Sequence, residues 1–325
     1  MITEISDNFY RITLPMPFRL RHVHAYALVA DGDVTLFDTG MILPGALEKL
    51  EADLESIGCS TARISDIYLT HVHTDHCGMA GILQEKSKAR IHLSEVSHQV
   101  HEHFQQADYL IGQARLFYTK HGVPARDVDA IVEEIEDMSS RIPKFEVHTF
   151  LQENEIRQFG NHSFEVIFTP GHAAGHVCFF FRDEGLLLAG DHILPYIPPS
   201  LSPNIYDEKF QPLTSYLESL AVIEKMPINT VHPGHGNSFS GVEERIREIR
   251  THHALKKEAL RHILKAEPKT TFGVCSEMIG AASANWDDWE KFMALNETYV
   301  YLQALKCDGA IQETMQNGIL CYSAV

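Results

Sequence analysis

One short stretch constrains this chain more than any bulk property. Thr70-His71-Val72-His73-Thr74-Asp75-His76-Cys77-Gly78 reads H-x-H-x-D-H and follows directly on the apolar run Ile67-Tyr68-Leu69. Residues i and i+2 of a strand end point the same way, so His71 and His73 can reach one ion together. Asp75 and His76 follow at the turn into the next segment, where the bend lets them face a second ion. Imidazole and carboxylate donors suit zinc, iron(II) or manganese, and this spacing leaves coordination positions open for water. The competing reading is a histidine-rich surface loop, because the chain carries 20 His. Such a loop needs neither this spacing nor the partners found downstream.

Those partners recur at the ends of apolar segments. Thr169-Pro170-Gly171-His172 follows the strand pattern Phe164-Glu165-Val166-Ile167-Phe168. Leu186-Leu187-Leu188-Ala189-Gly190-Asp191 reads as a buried strand ending on an acid, and Val231-His232-Pro233-Gly234-His235-Gly236 ends on a glycine-flanked histidine. Each places a metal-ligand residue type at a strand end, the usual position for site residues in a sheet-based fold. Together with Leu36-Phe37-Asp38-Thr39-Gly40, these segments resemble the five signature motifs of the metallo-β-lactamase superfamily, in order, over roughly residues 1 to 240.

The resemblance implies an α/β fold, the αββα sandwich of that superfamily, with a dinuclear metal site at one edge. Carried over residue by residue, it implies that His71, His73 and His172 hold the first ion. Asp75, His76 and His235 hold the second, with Asp191 bridging. Asp38 supports the metal-binding loop by hydrogen bonding rather than by ligation. The implied cofactors are two divalent metal ions, zinc by default, with iron or manganese fitting the same donors. Two such ions share a hydroxide nucleophile and polarise the scissile carbonyl or phosphoryl oxygen, so the reaction class is metal-assisted hydrolysis. With a single metal bound, Asp75 is free to act as the catalytic base.

Bulk properties narrow the setting. At 325 residues, with 44% hydrophobic and 22% charged residues, the chain reads as a soluble globular protein of one large or two modest domains. Residues 1 to 10 lack a basic start with an apolar core, and no run approaches the ~18 apolar residues of a membrane span. Six scattered cysteines form no C-x-x-C pair, so reduced thiols and a cytoplasmic location are expected. A net charge of −17, from 44 acids against 27 bases, opposes binding to polyanions, so nucleic acid is not the expected partner.

Two further segments bear on function. Residues 94 to 140 interrupt the sheet pattern: Phe104, Tyr109, Leu110, Ala114, Phe117 and Tyr118 recur at helical intervals, Gly122-Val123-Pro124 breaks the helix, and Val128, Ile131 and Ile135 resume it. This predicts an inserted helical hairpin, of the kind that in related enzymes covers the metal site. Some of Phe104, Tyr109, Phe117 and Tyr118 are then candidate pocket residues; alternatively they pack the hairpin on itself or on a partner subunit. His98, His101 and His103 read as surface histidines. In the proline-rich loop after Asp191, Tyr196 is either a donor to a substrate carbonyl or a packed loop residue. His176, His192 and His232 fall outside the implied ligand set, and Cys77 and Cys178 read as small buried packing residues.

From about Gly241 the chain reads helix, helix, helix and β-hairpin around Asn317-Gly318. This divides the chain into a catalytic domain, 1 to 240, and a tail, 241 to 325. The tail resembles the C-terminal winged helix of superfamily proteins related to the mammalian mitochondrial lactamase-β-like endoribonuclease. With 10 Lys/Arg against 12 Asp/Glu, it is expected to serve packing or homodimerisation rather than DNA reading. Three substrate readings stay open. The first is an acyl hydrolase acting on a small-molecule thioester or lactone, similar to glyoxalase II and the homoserine-lactone lactonases, whose seven-ligand site these residues match. The second is a phosphodiesterase or endoribonuclease, and the third a metal-bound effector with little turnover. β-Lactams are disfavoured by Asp191, which the β-lactamases proper lack, and by the expected location.

Overall fold

Two β-sheets pack face to face in a computed structural model that describes residues 2–17, 20–280 and 286–325. The first sheet runs in the order β1 (Ile2–Ser6), β2 (Phe9–Pro15), β3 (His22–Ala30), β4 (Asp33–Phe37), β5 (Ile64–Tyr68), β6 (Arg90–Ser94) and β7 (Val147–Leu151). The second runs β12 (Thr230–Pro233), β11 (Leu186–Gly190), β10 (Val177–Phe181), β9 (His162–Phe168) and β8 (Ile156–Phe159). Helices α1 (Ala46–Ser56), α2 (Thr74–Cys77) and α3 (Ala80–Ser87) follow β4 and β5. Helices α4 (Glu95–Phe104), α5 (Ala107–Lys120) and α6 (Ala125–Ser140) lie between β6 and β7, and α7 (Pro212–Ile223) precedes β12. The tail holds α8 (Val242–Ile263), α9 (Thr271–Ile279), α10 (Asp288–Cys307) and the hairpin β13 (Ile311–Gln316) to β14 (Ile319–Ala324).

Strand pleating assigns the apolar residues to layers. In β10, Val177, Phe179 and Phe181 enter the aromatic core between the sheets, where they meet Phe9, Phe37 and Phe164. Cys178 and Phe180, on the other face, join the core shared with the helices. β11 divides the same way, Leu186 and Leu188 inward, Leu187 and Ala189 outward. Successive side chains alternate across a strand, so a strand covered on both faces must be apolar throughout. On the outer face of the first sheet, Leu50 and Leu54 of α1 and Leu83 of α3 cover Leu36, Ile67 and Ile91. The layer order is helix, sheet, sheet, helix, as the resemblance implies.

The insert differs from the predicted hairpin. Its first half is two helices, because at Gln106 the backbone leaves helical values (φ −100, ψ 68). Phe117 and Tyr118 pack against the tail. Phe117 stacks edge-on against Tyr299 at 4.9 Å, and the Tyr118 hydroxyl donates to Asn296 Oδ1 at 2.7 Å, which packs the insert onto α10. Tyr109 is 45% exposed and stacks on Tyr206. His101 is not a surface histidine; it is buried against Phe145. One apolar core runs from the insert through α7, α8 and α10 to the outer face of the second sheet.

In the tail, α10 opens with a capping box, Asp287 accepting from the Glu290 amide while Glu290 accepts from the Asp287 amide. The hairpin turns at Asn317 and Gly318, both at positive φ (51 and 81), as a tight two-residue turn requires.

Candidate metal centre

The parallel strands of each sheet end at the same edge of the sandwich, and the donors sit there. β4 and β5 are parallel, as are β11 and β12, while β9 and β11 both run antiparallel to β10. Asp38 follows β4, His71 and His73 follow β5, and His172 follows β9. Asp191 follows β11, and His235 follows β12. Asp75 and His76 stand on the single turn of α2. His71 and His73 lie past the end of β5, so strand pleating is not what pairs them. A bent loop brings His71 Nε2 within 3.0 Å of His73 Nδ1.

Two donor groups meet at one carboxylate. His172 Nε2 is 2.9 Å from His73 Nδ1, completing a trio of imidazole nitrogens with His71. Asp75 Oδ2 lies 3.2 Å from His235 Nε2 and 3.8 Å from His76 Nε2, forming a second group. Asp191 stands between them. Its Oδ2 is 3.5 Å from His172 Nε2, and its Oδ1 is 3.3 Å from His76 Nε2 and 3.4 Å from His235 Nε2.

Each outer imidazole is held from behind. Thr70 Oγ1 donates to Asp38 Oδ2 at 2.8 Å, which leaves its oxygen to accept from His71 Nδ1 at 2.9 Å. His76 Nδ1 donates to Asp38 Oδ2 at 2.8 Å. His172 Nδ1 donates to the Ser200 carbonyl at 2.6 Å, and His235 Nδ1 to the His22 carbonyl at 2.7 Å. With a proton fixed on Nδ1, all four rings turn Nε2 into the centre, and in the neutral ring that atom is a bare lone pair. Lone pairs that face one another at ~3 Å repel in a buried site unless a cation lies between them. His76 Nε2 and Asp191 Oδ1 are buried with no aligned hydrogen bond among the described residues. These seven residues therefore form His/Asp clusters that could hold metal ions.

The chain's own field treats the two groups differently. Burial, then the neighbouring imidazoles, hold His71 far below the ordinary histidine range and His73 at about 3, so both stay neutral and ready to ligate. Burial also lowers His172. In the second group burial works the other way from the net effect. The carboxylates of Asp191 and Asp75 outweigh it, raising His76 and pushing His235 up to about 10. Asp75, half-buried, is held at about 2 by His76 and His235, which outweigh its desolvation.

Backbone geometry closes the site. Asp38 sits at φ +57, a left-handed conformation that Asp tolerates better than most residues, and it accepts from the Thr70 amide at 2.8 Å. A Cβ on Gly234 would lie 2.6 Å from both Asp191 Oδ1 and His76 Cε1. The remaining candidates lie around this centre. His176 is buried, with Nδ1 at 2.8 Å from Thr169 Oγ1, and its Nε2 accepts from the Asp191 amide at 3.2 Å. His192 is buried against Tyr216, and His232 Nδ1 pairs with Ser238 Oγ. Cys77 and Cys178 are fully buried, and their sulfurs face Val72, Thr169 and Ala189 instead of the donors. Tyr196 is 69% exposed, and its hydroxyl accepts from Asn237 Nδ2 at 3.1 Å. The orienting carbonyls of Ser200 and His22 have no signature in the sequence.

The family model described as the metallo-beta-lactamase superfamily matches residues 19–235, the span that carries every one of these donors. The chain belongs to the metallo-beta-lactamase superfamily. Among superfamily relatives, the probable metallo-hydrolase YqjP of Bacillus subtilis is 25% identical over 98% of this chain and 99% of its own length. The crystal structure of the metallo-beta-lactamase family protein TTHA1429 from Thermus thermophilus matches with a TM-score of 0.85 at 26% identity, covering 99% of this chain and 100% of that one. Both relatives extend through the tail. An atrochrysone carboxyl ACP thioesterase of Aspergillus fumigatus is 23% identical over 72% of this chain and 57% of its own length. The protein is a hydrolase of this superfamily, and its His/Asp clusters are suited to metal ions.

Proposed function

We propose that this hydrolase cleaves a carbonyl ester-type bond, a thioester or a lactone of a small acyl substrate, at a centre of two divalent ions, zinc in the first instance. The observation that carries the reading is Asp191, whose two oxygens face the two donor groups separately. The thioesterase among the relatives supports the substrate class. When bound, the ions supply a water whose pKa is lowered toward ~7 and a Lewis acid for the substrate carbonyl.

The protein's part is positioning and proton handling. Asp38, Ser200 and His22 fix the imidazoles, so the donor set does not reorganise during turnover. Asp75 is the more exposed of the two carboxylates, 20% against 10% for Asp191. At the rim, its carboxylate would be placed to take a proton from the attacking water and return it to the leaving thiol or alcohol. Its position at the rim, rather than between the donor groups, suits that exchange.

The test is turnover of a simple acyl thioester and a simple lactone by purified, metal-analysed protein, with Asp75→Ala as control. Hydrolysis of one of them, reduced at least about 100-fold by Asp75→Ala, is the expected result. Metal-loaded protein that cleaves phosphodiesters and neither acyl substrate would overturn the reading in favour of the phosphodiesterase alternative.

A further inference from the structure

A second constellation of metal-ligand side chains lies on α4, apart from the centre. Residues 98 to 103 read H-Q-V-H-E-H, and helical spacing at i, i+3 and i+4 brings His98, His101 and Glu102 onto one face. One ligand atom of each lies within 4.8 Å of the others.

The three side chains are prepared unequally. His101 is buried and stacked on Phe145 at 4.2 Å. Its Nε2 donates to the Pro143 carbonyl at 2.8 Å, so Nδ1 carries a bare lone pair. The same backing orients the imidazoles of the main centre. The Gln105 amide lies 3.4 Å from that Nδ1, on an exposed side chain that can swing away. His98 Nδ1 is buried and has no hydrogen-bond partner among the described residues. Such an atom costs free energy unless something pairs with it. Glu102 is exposed, makes no ion pair among the described residues, and opens the cluster to solvent.

We propose that His98, His101 and Glu102 form a further divalent transition-metal site on α4, distinct from the centre at the sheet edge. Two imidazoles and one carboxylate select zinc, copper(II) or nickel(II) over magnesium and calcium, which prefer all-oxygen shells. Three protein donors leave the remaining positions to water, so this ion is held more weakly than those of the main centre.

The experiment uses the full chain carrying two zinc ions, which the tighter main centre holds, titrated with copper(II) and read by electron paramagnetic resonance and by metal analysis of the same samples. The expected result is one copper per chain bound without loss of zinc, its spectrum showing hyperfine coupling to two nitrogens. Copper affinity should fall at least tenfold in His98→Ala and in Glu102→Gln. Glu102→Gln changes only an exposed side chain, so its zinc content and hydrolysis should stay at the wild-type level. Copper that enters only by displacing zinc, or that binds either variant as tightly as wild type, would overturn the proposal.

Discussion

At the scale of single residues, the donor clusters depend on a few side chains outside them. Asp38 accepts from the Thr70 amide and hydroxyl and from His76 Nδ1. Asp38→Asn keeps the shape but sets an amide N–H against one of those donors. Loss of an outer partner of this kind typically costs about 10–100-fold in metal affinity or activity. That range is the expected fall in Asp38→Asn, measured by metal competition and turnover, with folded structure intact by circular dichroism. Gly234→Ala should act from the other side, because its methyl would meet Asp191 Oδ1 and His76 Cε1 at 2.6 Å. Reduced metal content at unchanged solubility is its expected signature; full metal content would contradict the close approach. The clustering of the candidate donors was legible in the sequence, because the H-x-H-x-D-H stretch and the Gly-His segments are local. Ser200 and His22 were not. They act through backbone carbonyls, which every residue has, and are brought to the site by loops distant in sequence.

At the scale of elements, the helical side of the molecule is tied together by buried histidines. His121 Nδ1 lies 3.0 Å from Thr271 Oγ1, joining α5 to α9, and His253 Nδ1 lies 2.6 Å from the Tyr301 hydroxyl, joining α8 to α10. Burial, with Lys120 adding to it, holds His121 at about 3, and burial with His252 and Lys256 holds His253 at about 3. An unfolded histidine titrates near ~6.5, so between these values the unfolded chain binds more protons than the folded one. The stability linked to these two groups is therefore complete above about pH 6.5 and is lost as pH falls toward about 3. The melting temperature should drop from pH 7 to pH 5, and His253→Gln should flatten that slope; an unchanged slope would contradict the assignment. Phe117→Ala should cost about 3–5 kcal/mol, the usual loss for a buried phenylalanine, read by denaturant unfolding. The helices of the insert were legible from their periodicity, but the break at Gln105-Gln106 was not, since glutamine is a good helix former. The role of Phe117 and Tyr118 was also hidden, because an aromatic at helical spacing looks the same whether it lines a pocket or packs a core.

At the scale of the whole molecule, the sandwich exists to bring strand ends from two sheets to one edge. The motifs made that edge legible because each carries its ligand at the end of an apolar run. The common core of insert, tail and second sheet was not legible, since nothing in a helix's own sequence states which partner covers it. Among the described residues no helix is long and apolar enough to cross a membrane. The central claim is that one carboxylate, Asp191, joins two donor groups into a single dinuclear centre. It is tested most directly by counting metal ions per chain in a His98→Ala background, where only the main centre contributes. Two ions per chain, falling below two when Asp191→Ala is added, is the predicted result. Two ions retained without Asp191 would contradict it.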